Sequence, residues 1–218
     1  MKFLLTSAGI SNASIEKALL ELVGKSASET SVAFVPTAAT MLNGDKGWLI
    51  SNLTAFTERG FQSIDIVDIA AVPQENWQKR FEAADILCFG GGDEQFLART
   101  MQSSGVAEAL PKLLESKVYM GISAGSMVVG RLLSQVLVRE LCPEESFEGN
   151  EPGLGLLELS ILPHLNSEYF AHLRPELIHS LASRFETTVY ALDDQSALKG
   201  VNGNIEVITE GEFLKLGK

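Results

Sequence analysis

The sequence predicts an α/β fold: three layers, with a mainly parallel sheet carrying helices on both faces and antiparallel strands at the C-terminal edge. Short apolar runs alternate with amphipathic stretches along almost the whole chain, the pattern of repeated strand–helix units. Those runs are continuously apolar rather than alternating, as strands covered on both faces must be. Near the end, Ala197–Val201 and Ile205–Thr209 flank Asn202-Gly203-Asn204, a turn sequence that favours a hairpin.

Each element follows from local pattern. Lys2–Thr6 reads as the first buried strand. Ala13–Val23 places Ile15, Ala18, Leu19, Leu22 and Val23 at helical spacing, with Gly24 as a stop. Ser31–Val35 is a strand ended by Pro36, Trp48–Arg59 a helix closed by Gly60, and Ser63–Val67 a third strand. Glu75–Ala84 reads as a helix, Ile86–Phe89 as a strand, and Glu94–Ser103 and Val106–Glu115 as helices divided at Gly105. Val118–Ile122 is a fifth strand, and Met127–Leu133 should begin the next helix. Arg139–Gly153, with two prolines and two glycines, reads as a long loop. Leu157–Leu162 is a strand ended by Pro163, Glu168–Ala182 a helix that Pro175 kinks or restarts, and Thr188–Leu192 a further strand.

The chain of 218 residues is long enough for a substantial core, and without repeats or linkers it is expected to be one domain, 1–218. Its 28 acidic residues outnumber 17 Lys and Arg, giving a net charge of −11. Such a chain repels phosphate backbones, so nucleic acid is not an expected partner. There is no polybasic run, no leader-like segment and no apolar window long enough for a membrane span. The 2 cysteines, Cys88 and Cys142, make no disulfide framework. A soluble, cytoplasmic protein is expected, so the Asn12-Ala13-Ser14 and Asn52-Leu53-Thr54 glycosylation patterns carry no meaning.

The most informative turn is Gly121-Ile122-Ser123-Ala124-Gly125, a G-x-S-x-G pattern directly after an apolar strand and before a helical run. A tight strand-to-helix turn strains its central residue, and glycines on either side let the chain pass. Ser123 would stand at the carboxyl end of the sheet, with a helix N-terminus beside it to favour developing negative charge. Ser126, one turn on, reads as structural. A serine capping a helix is the plainer alternative.

A nucleophilic serine needs a base. Of the 3 histidines, His164 follows an apolar strand and Pro163 at the same rim, whereas His172 and His179 fall on one face of a helix. The histidine spacing lacks the i, i+4 pair of a helical zinc site, and no metal is expected. Gly90-Gly91-Gly92 follows the strand Ile86–Phe89. An amide of Gly91 or Gly92, with that of Ala124, would make a two-donor oxyanion hole. The triplet lacks dinucleotide-loop spacing. Residue types do not choose an acid for His164: Glu140, Glu144, Glu145, Glu148, Glu151 and Glu158 lie between Ser123 and His164, and Asp193 and Asp194 follow a later strand.

These residues resemble the serine peptidase family that contains dipeptidase E (alpha-aspartyl dipeptidase) and cyanophycinase. The resemblance runs through Leu4-Leu5-Thr6-Ser7, Phe34-Val35-Pro36-Thr37-Ala38, Phe89-Gly90-Gly91-Gly92-Asp93, Gly121-Ile122-Ser123-Ala124-Gly125-Ser126 and Leu162-Pro163-His164-Leu165-Asn166. It implies a fold related to class I glutamine amidotransferases, with Ser123 as nucleophile and His164 as base. It places the acid after the nucleophile's helix, which makes Glu140 the expected third member, with Glu148 and Asp194 behind it. It implies an arginine after the base that holds a substrate aspartate, and Arg174 stands there. A histidine of that family near the first helix is replaced by Glu16.

The expected function is therefore hydrolysis of dipeptides or short peptides, with an amino-terminal aspartate, through an acyl-enzyme. It requires no cofactor and only a small peptide as partner, from a monomer or homodimer. Alternatives are a non-aspartyl peptidase or an esterase of the same fold, and a ligand-binding relative without turnover. An amidotransferase-like subunit would want cysteine at the elbow, and neither cysteine is there.

Overall fold

The structure is a computed structural model that describes residues 1–143 and 148–217. Its strands are β1 (Lys2–Thr6), β2 (Ser31–Val35), β3 (Ser63–Ile66), β4 (Ile86–Phe89), β5 (Val118–Ile122), β6 (Leu159–Leu162), β7 (Thr188–Leu192), β8 (Ser196–Val201), β9 (Asn204–Thr209) and β10 (Phe213–Leu216). The main sheet runs β3-β2-β4-β5-β1-β8-β9. Its first five strands pair in parallel, and β8 and β9 add the antiparallel edge that Asn202-Gly203 foretells.

Alternate side chains of these strands enter two cores, one per face. Phe3, Leu5, Ala33, Val35, Leu87, Phe89 and Tyr119 meet Trp77, Phe81, Leu97, Met101 and Leu110 from helices on one side. Leu4, Val32, Phe34, Ile86, Cys88, Val118 and Met120 meet Ile15, Leu19, Leu22 and Phe56 on the other. This is why the central strands carry apolar residues at successive positions. The helix Ala13–Val23 shows how local sequence supports the layers. Asn12 Oδ1 accepts the Ile15 N–H at 2.9 Å, Gly24 ends the helix at φ 77°, and Ile15, Ala18, Leu19 and Leu22 are its buried stripe.

A second sheet, β10-β7-β6, departs from the sequence expectation of one sheet. β6 and β7 pair in parallel with each other, and β10 closes antiparallel on β7. A third core joins this sheet to the helices Gln135–Leu141 and Pro175–Leu181 through Leu137, Leu141, Leu162, Leu173, Ile178 and Val189.

Three further elements differ from their sequence reading. The helix expected at Met127–Leu133 is Ala124–Val128. From Val128 onward the backbone is taken up by neighbouring chain: Leu154 N–H bonds to Val128 O, Leu156 N–H to Val129 O, and Arg131 N–H to Leu159 O. The expected loop Arg139–Gly153 begins inside the helix Gln135–Leu141, and Glu144 and Glu145 lie outside the described residues. The helix expected at Glu168–Ala182 starts only at Pro175, because a proline forces the preceding Arg174 into extended backbone (φ −121°, ψ 148°). Among the described residues, no helix is long and apolar enough to cross a membrane.

Candidate active site

The parallel register assembles the site. β1 and β5 pair up to Thr6 opposite Ile122, so the next residues, Ser7 and Ser123, leave the sheet side by side. β4 and β5 pair up to Phe89 opposite Gly121, which brings Gly91 level with Ser123 on the other flank. A Cβ on Gly91 would sit 3.3 Å from that of Ser123.

Ser123 occupies the strained turn that the sequence predicts, at φ 49°, ψ −112°. Such a conformation costs about 1–3 kcal/mol and persists only where its surroundings hold it. Here Ser123 N–H donates to Thr6 O at 3.0 Å, Ser126 Oγ to Thr6 O at 2.8 Å, and Tyr119 Oη to Gly125 O at 2.6 Å. The glycines of the motif are steric necessities. A Cβ on Gly125 would lie 1.9 Å from Phe89 O, and one on Gly121 2.6 Å from the Ser126 backbone. Ser126 is thus structural, as its sequence position suggests.

His164 comes from the second sheet. β6 and β7 pair up to Leu162 opposite Ala191, and beyond that rung His164 and Asp194 leave their strands toward each other. His164 Nε2 lies 2.9 Å from Ser123 Oγ, and His164 Nδ1 lies 2.8 Å from Asp194 Oδ1. A carboxylate only accepts, so Nδ1 carries the proton and Nε2 is left to accept from the serine. Burial alone would raise the Asp194 carboxyl. The hydrogen bonds from His164 and Ser7, with the electrostatic pull of the His164 ring, outweigh it and hold the group below the usual carboxylate range.

Two residues complete this half of the site without having been singled out from the sequence. Ser7 is fully buried; its Oγ donates to Asp194 Oδ1 at 2.7 Å and accepts the His164 N–H at 2.8 Å. That acceptor steadies His164 at φ 65°, a left-handed conformation rare for histidine. The signal for Ser7 was its place one residue past the first strand, on the same rim as Ser123. Phe170 stacks on the imidazole, ring centroids 4.7 Å apart at 6°.

Glu140, the expected acid, does not reach His164. Its carboxylate forms a two-pronged pair with Arg184, both bonds 2.8 Å, on an exposed surface. The helix Gln135–Leu141 turns that side chain away from the site. Asp194 stands in its place, and the companion Asp193 braces the turn by accepting from the Gln195 amide and the Ser196 hydroxyl. Arg174 is also engaged elsewhere: its guanidinium donates to the carbonyls of Ser167, Phe170 and Leu173 at 3.0–3.1 Å. It ties the loop that carries Phe170.

Gly91, Gly92 and Ala124 lie beside Ser123. Gly90 N–H is tied to Val35 O and Asp93 N–H to Ala38 O, which fixes the turn and leaves the Gly91 and Gly92 amides between those anchors. Gly92 has φ 132°, and a Cβ there would meet Ala38 O at 2.2 Å. The cleft beside Ser123 measures about 480 Å³ with its open mouth. Ser123, His164, Gly92 and Glu94 supply its polar lining, and Met127, Leu133, Val138, Leu141, Leu162 and Leu173 much of the apolar remainder. Among the described residues, no three His, Cys, Asp or Glu side chains gather as a metal site.

The chain matches Peptidase family S51 over residues 3–208. An uncharacterized peptidase of Listeria monocytogenes is 22% identical over 187 residues, covering 82% of this chain and 85% of the relative. The fold is similar to the crystal structure of a candidate peptidase E from Listeria monocytogenes EGD-e, with a TM-score of 0.75, 19% identity and coverage of 96% of this chain and 98% of that one. It is also similar to a peptidase from an acI-B1 Actinobacterium, with a TM-score of 0.72, 18% identity and coverage of 99% and 90%. With a family match spanning nearly its whole length, this chain belongs to peptidase family S51 and is a serine-type peptidase.

Proposed function

We propose that the enzyme cleaves short peptides through an acyl-enzyme formed on Ser123, with His164 as general base and Asp194, not Glu140, as the acid that orients it. The supporting observation is the continuous chain of short contacts: 2.9 Å from Ser123 Oγ to His164 Nε2, then 2.8 Å from His164 Nδ1 to Asp194 Oδ1. His164 Nε2 takes the serine proton as Oγ attacks the scissile carbonyl, and Asp194 stabilises the imidazolium that forms. The Ala124 amide and an amide of Gly91 or Gly92 receive the oxyanion; one such donor typically contributes about 3–4 kcal/mol. His164 then protonates the departing amine, and water attacks the ester by the same route in reverse.

Short peptides are favoured by the shape of the cleft, which the helix Gln135–Leu141 flanks with Val138 and Leu141. The expectation of an amino-terminal aspartate leaned on Arg174, whose guanidinium is spent on three carbonyls. Among the described residues that line the cleft, the carboxyl group is Glu94, and no Lys or Arg stands there to pair with a substrate aspartate. The proposed substrate is therefore a short peptide without that requirement. A fluorophosphonate probe should label the wild type and not Ser123→Ala, and a dipeptide panel should be hydrolysed only by the wild type. A wild type that is neither labelled nor active on any peptide overturns the proposal.

A further inference from the structure

Glu94 is a charged residue that the mechanism above does not use. It opens the helix Glu94–Ser103 directly after the Gly90–Asp93 turn, is 2% exposed, and lines the same cleft as Ser123 and His164. Gln95 beside it is buried too, and its Oε1 accepts the Glu151 N–H at 2.8 Å, which ties the segment around Glu151 to this helix start. The groups that act on the Glu94 carboxyl are its own amide and the Gln95 side chain, which favour its charge, and Asp93, which opposes it; burial outweighs them and pushes it up to about 7. No described cation acts on it. A buried carboxylate without a cation is expensive, and a protein retains one where a ligand supplies the partner.

Resting on the acyl-enzyme reading, we infer that Glu94 receives the free α-ammonium of the substrate, and that the cleft selects peptides with an unblocked, apolar first residue. The positions suit this. Glu94 issues from the loop whose Gly91 or Gly92 amide is proposed to receive the oxyanion, and an α-amino nitrogen is one carbon removed from the reacting carbonyl. A lysine or arginine charge sits at the end of a long stem. Met127, Leu133, Val138, Leu141, Leu162 and Leu173 offer the first side chain a largely apolar wall.

The test compares kcat/KM of the full chain for Leu-Ala, Asp-Ala, Lys-Ala and N-acetyl-Leu-Ala, in wild type and Glu94→Gln. The wild type should prefer Leu-Ala to its acetylated form by about 100-fold, as sites built around a buried polar pairing do. Glu94→Gln should reduce that ratio below about 10, chiefly by raising KM for the free amine, at an unreduced melting temperature. Equal rates on free and acetylated peptide in the wild type overturn the inference. So does a best rate on Asp-Ala, or a best rate on Lys-Ala that Glu94→Gln abolishes, which would assign the carboxylate to a side chain. Fluorophosphonate labelling of the wild type separates the two levels: labelled protein with any of these outcomes removes the role of Glu94 alone, whereas unlabelled, inactive protein removes the acyl-enzyme and this inference with it.

Discussion

The site has two halves that were built differently. The elbow around Ser123 is local: Gly121, Ser123 and Gly125 lie in one run of chain, and sterics alone fix what those positions tolerate. The half proposed to hold base and acid is assembled from three distant segments, Ser7 after β1, His164 after β6 and Asp194 after β7. Only the two sheets, ending at a common rim, bring them together. Changes in the first half should therefore break the backbone or the nucleophile, and changes in the second should break chemistry while the fold survives.

The largest effects test that division. Ser123→Ala and His164→Ala should each lower kcat by about 10⁴-fold or more with an unchanged melting temperature, since such residues act as a unit. Gly125→Ala keeps both side chains but places a carbon 1.9 Å from Phe89 O. It should give insoluble or unfolded protein, visible by circular dichroism and thermal melting. Folded, active Gly125→Ala would mean the elbow is not the rigid half.

Next in size is the choice of acid. Asp194→Asn should lower kcat by about 10³–10⁴-fold, because an amide at that place favours the wrong imidazole tautomer. Glu140→Gln should leave kcat within about twofold, since an exposed ion pair with Arg184 lies outside the chemistry. Steady-state kinetics of the two variants decide the matter, and the reverse ranking would return Glu140 to the site.

The same contrast explains what could be read in advance. The strands, the hairpin and Ser123 were legible because their evidence lies within a few consecutive residues: apolar runs, Asn202-Gly203, the spaced glycines. His164 was legible because Pro163 and a strand precede it and few histidines compete. Asp194 could not be chosen over Glu140, because that choice depends on β6 and β7 forming their own sheet, a pairing that no local pattern announces. Arg174 misled for a related reason. Its position suited a clamp, but Pro175 delays the helix and leaves the carbonyls of Ser167, Phe170 and Leu173 free to bind the guanidinium. Glu94 reads in sequence as an ordinary acidic helix start, and only its burial against the glycine turn distinguishes it.

A smaller effect sharpens the comparison through the two carboxyls of the site, which are displaced in opposite directions. Asp194 is held low by its donors, whereas Glu94 is raised from 4.5 to about 7 by burial and by Asp93. Between those two values the native state binds a proton at Glu94 that the unfolded chain has released. Glu94 therefore contributes stability that is fully present below about pH 4.5 and is lost as pH rises to about 7. Urea unfolding of wild type and Glu94→Gln should show the variant gaining on the wild type by about 3 kcal/mol across that window, then no further change. A difference that stays flat with pH would mean the carboxyl is solvated.

The smallest expected effect probes the seam between the halves. Ser7 leaves β1 level with Ser123, yet all its side-chain bonds stay within its own half, to Asp194 and to His164. Ser7→Ala removes one donor to the carboxylate and the acceptor that holds the His164 backbone at φ 65°. A hydrogen bond to a charged group is worth about 1.5–3 kcal/mol, but Asp194 keeps its bond to His164 and its partial access to water, so the loss should fall at the lower limit. We expect kcat to fall about tenfold and KM to stay constant, with the fluorophosphonate labelling rate falling in proportion, because the hydroxyl orients the base and does not touch the peptide. If only the melting temperature moved, Ser7 would belong to the scaffold, and the imidazole would owe its orientation to Asp194 and the stacked Phe170 alone.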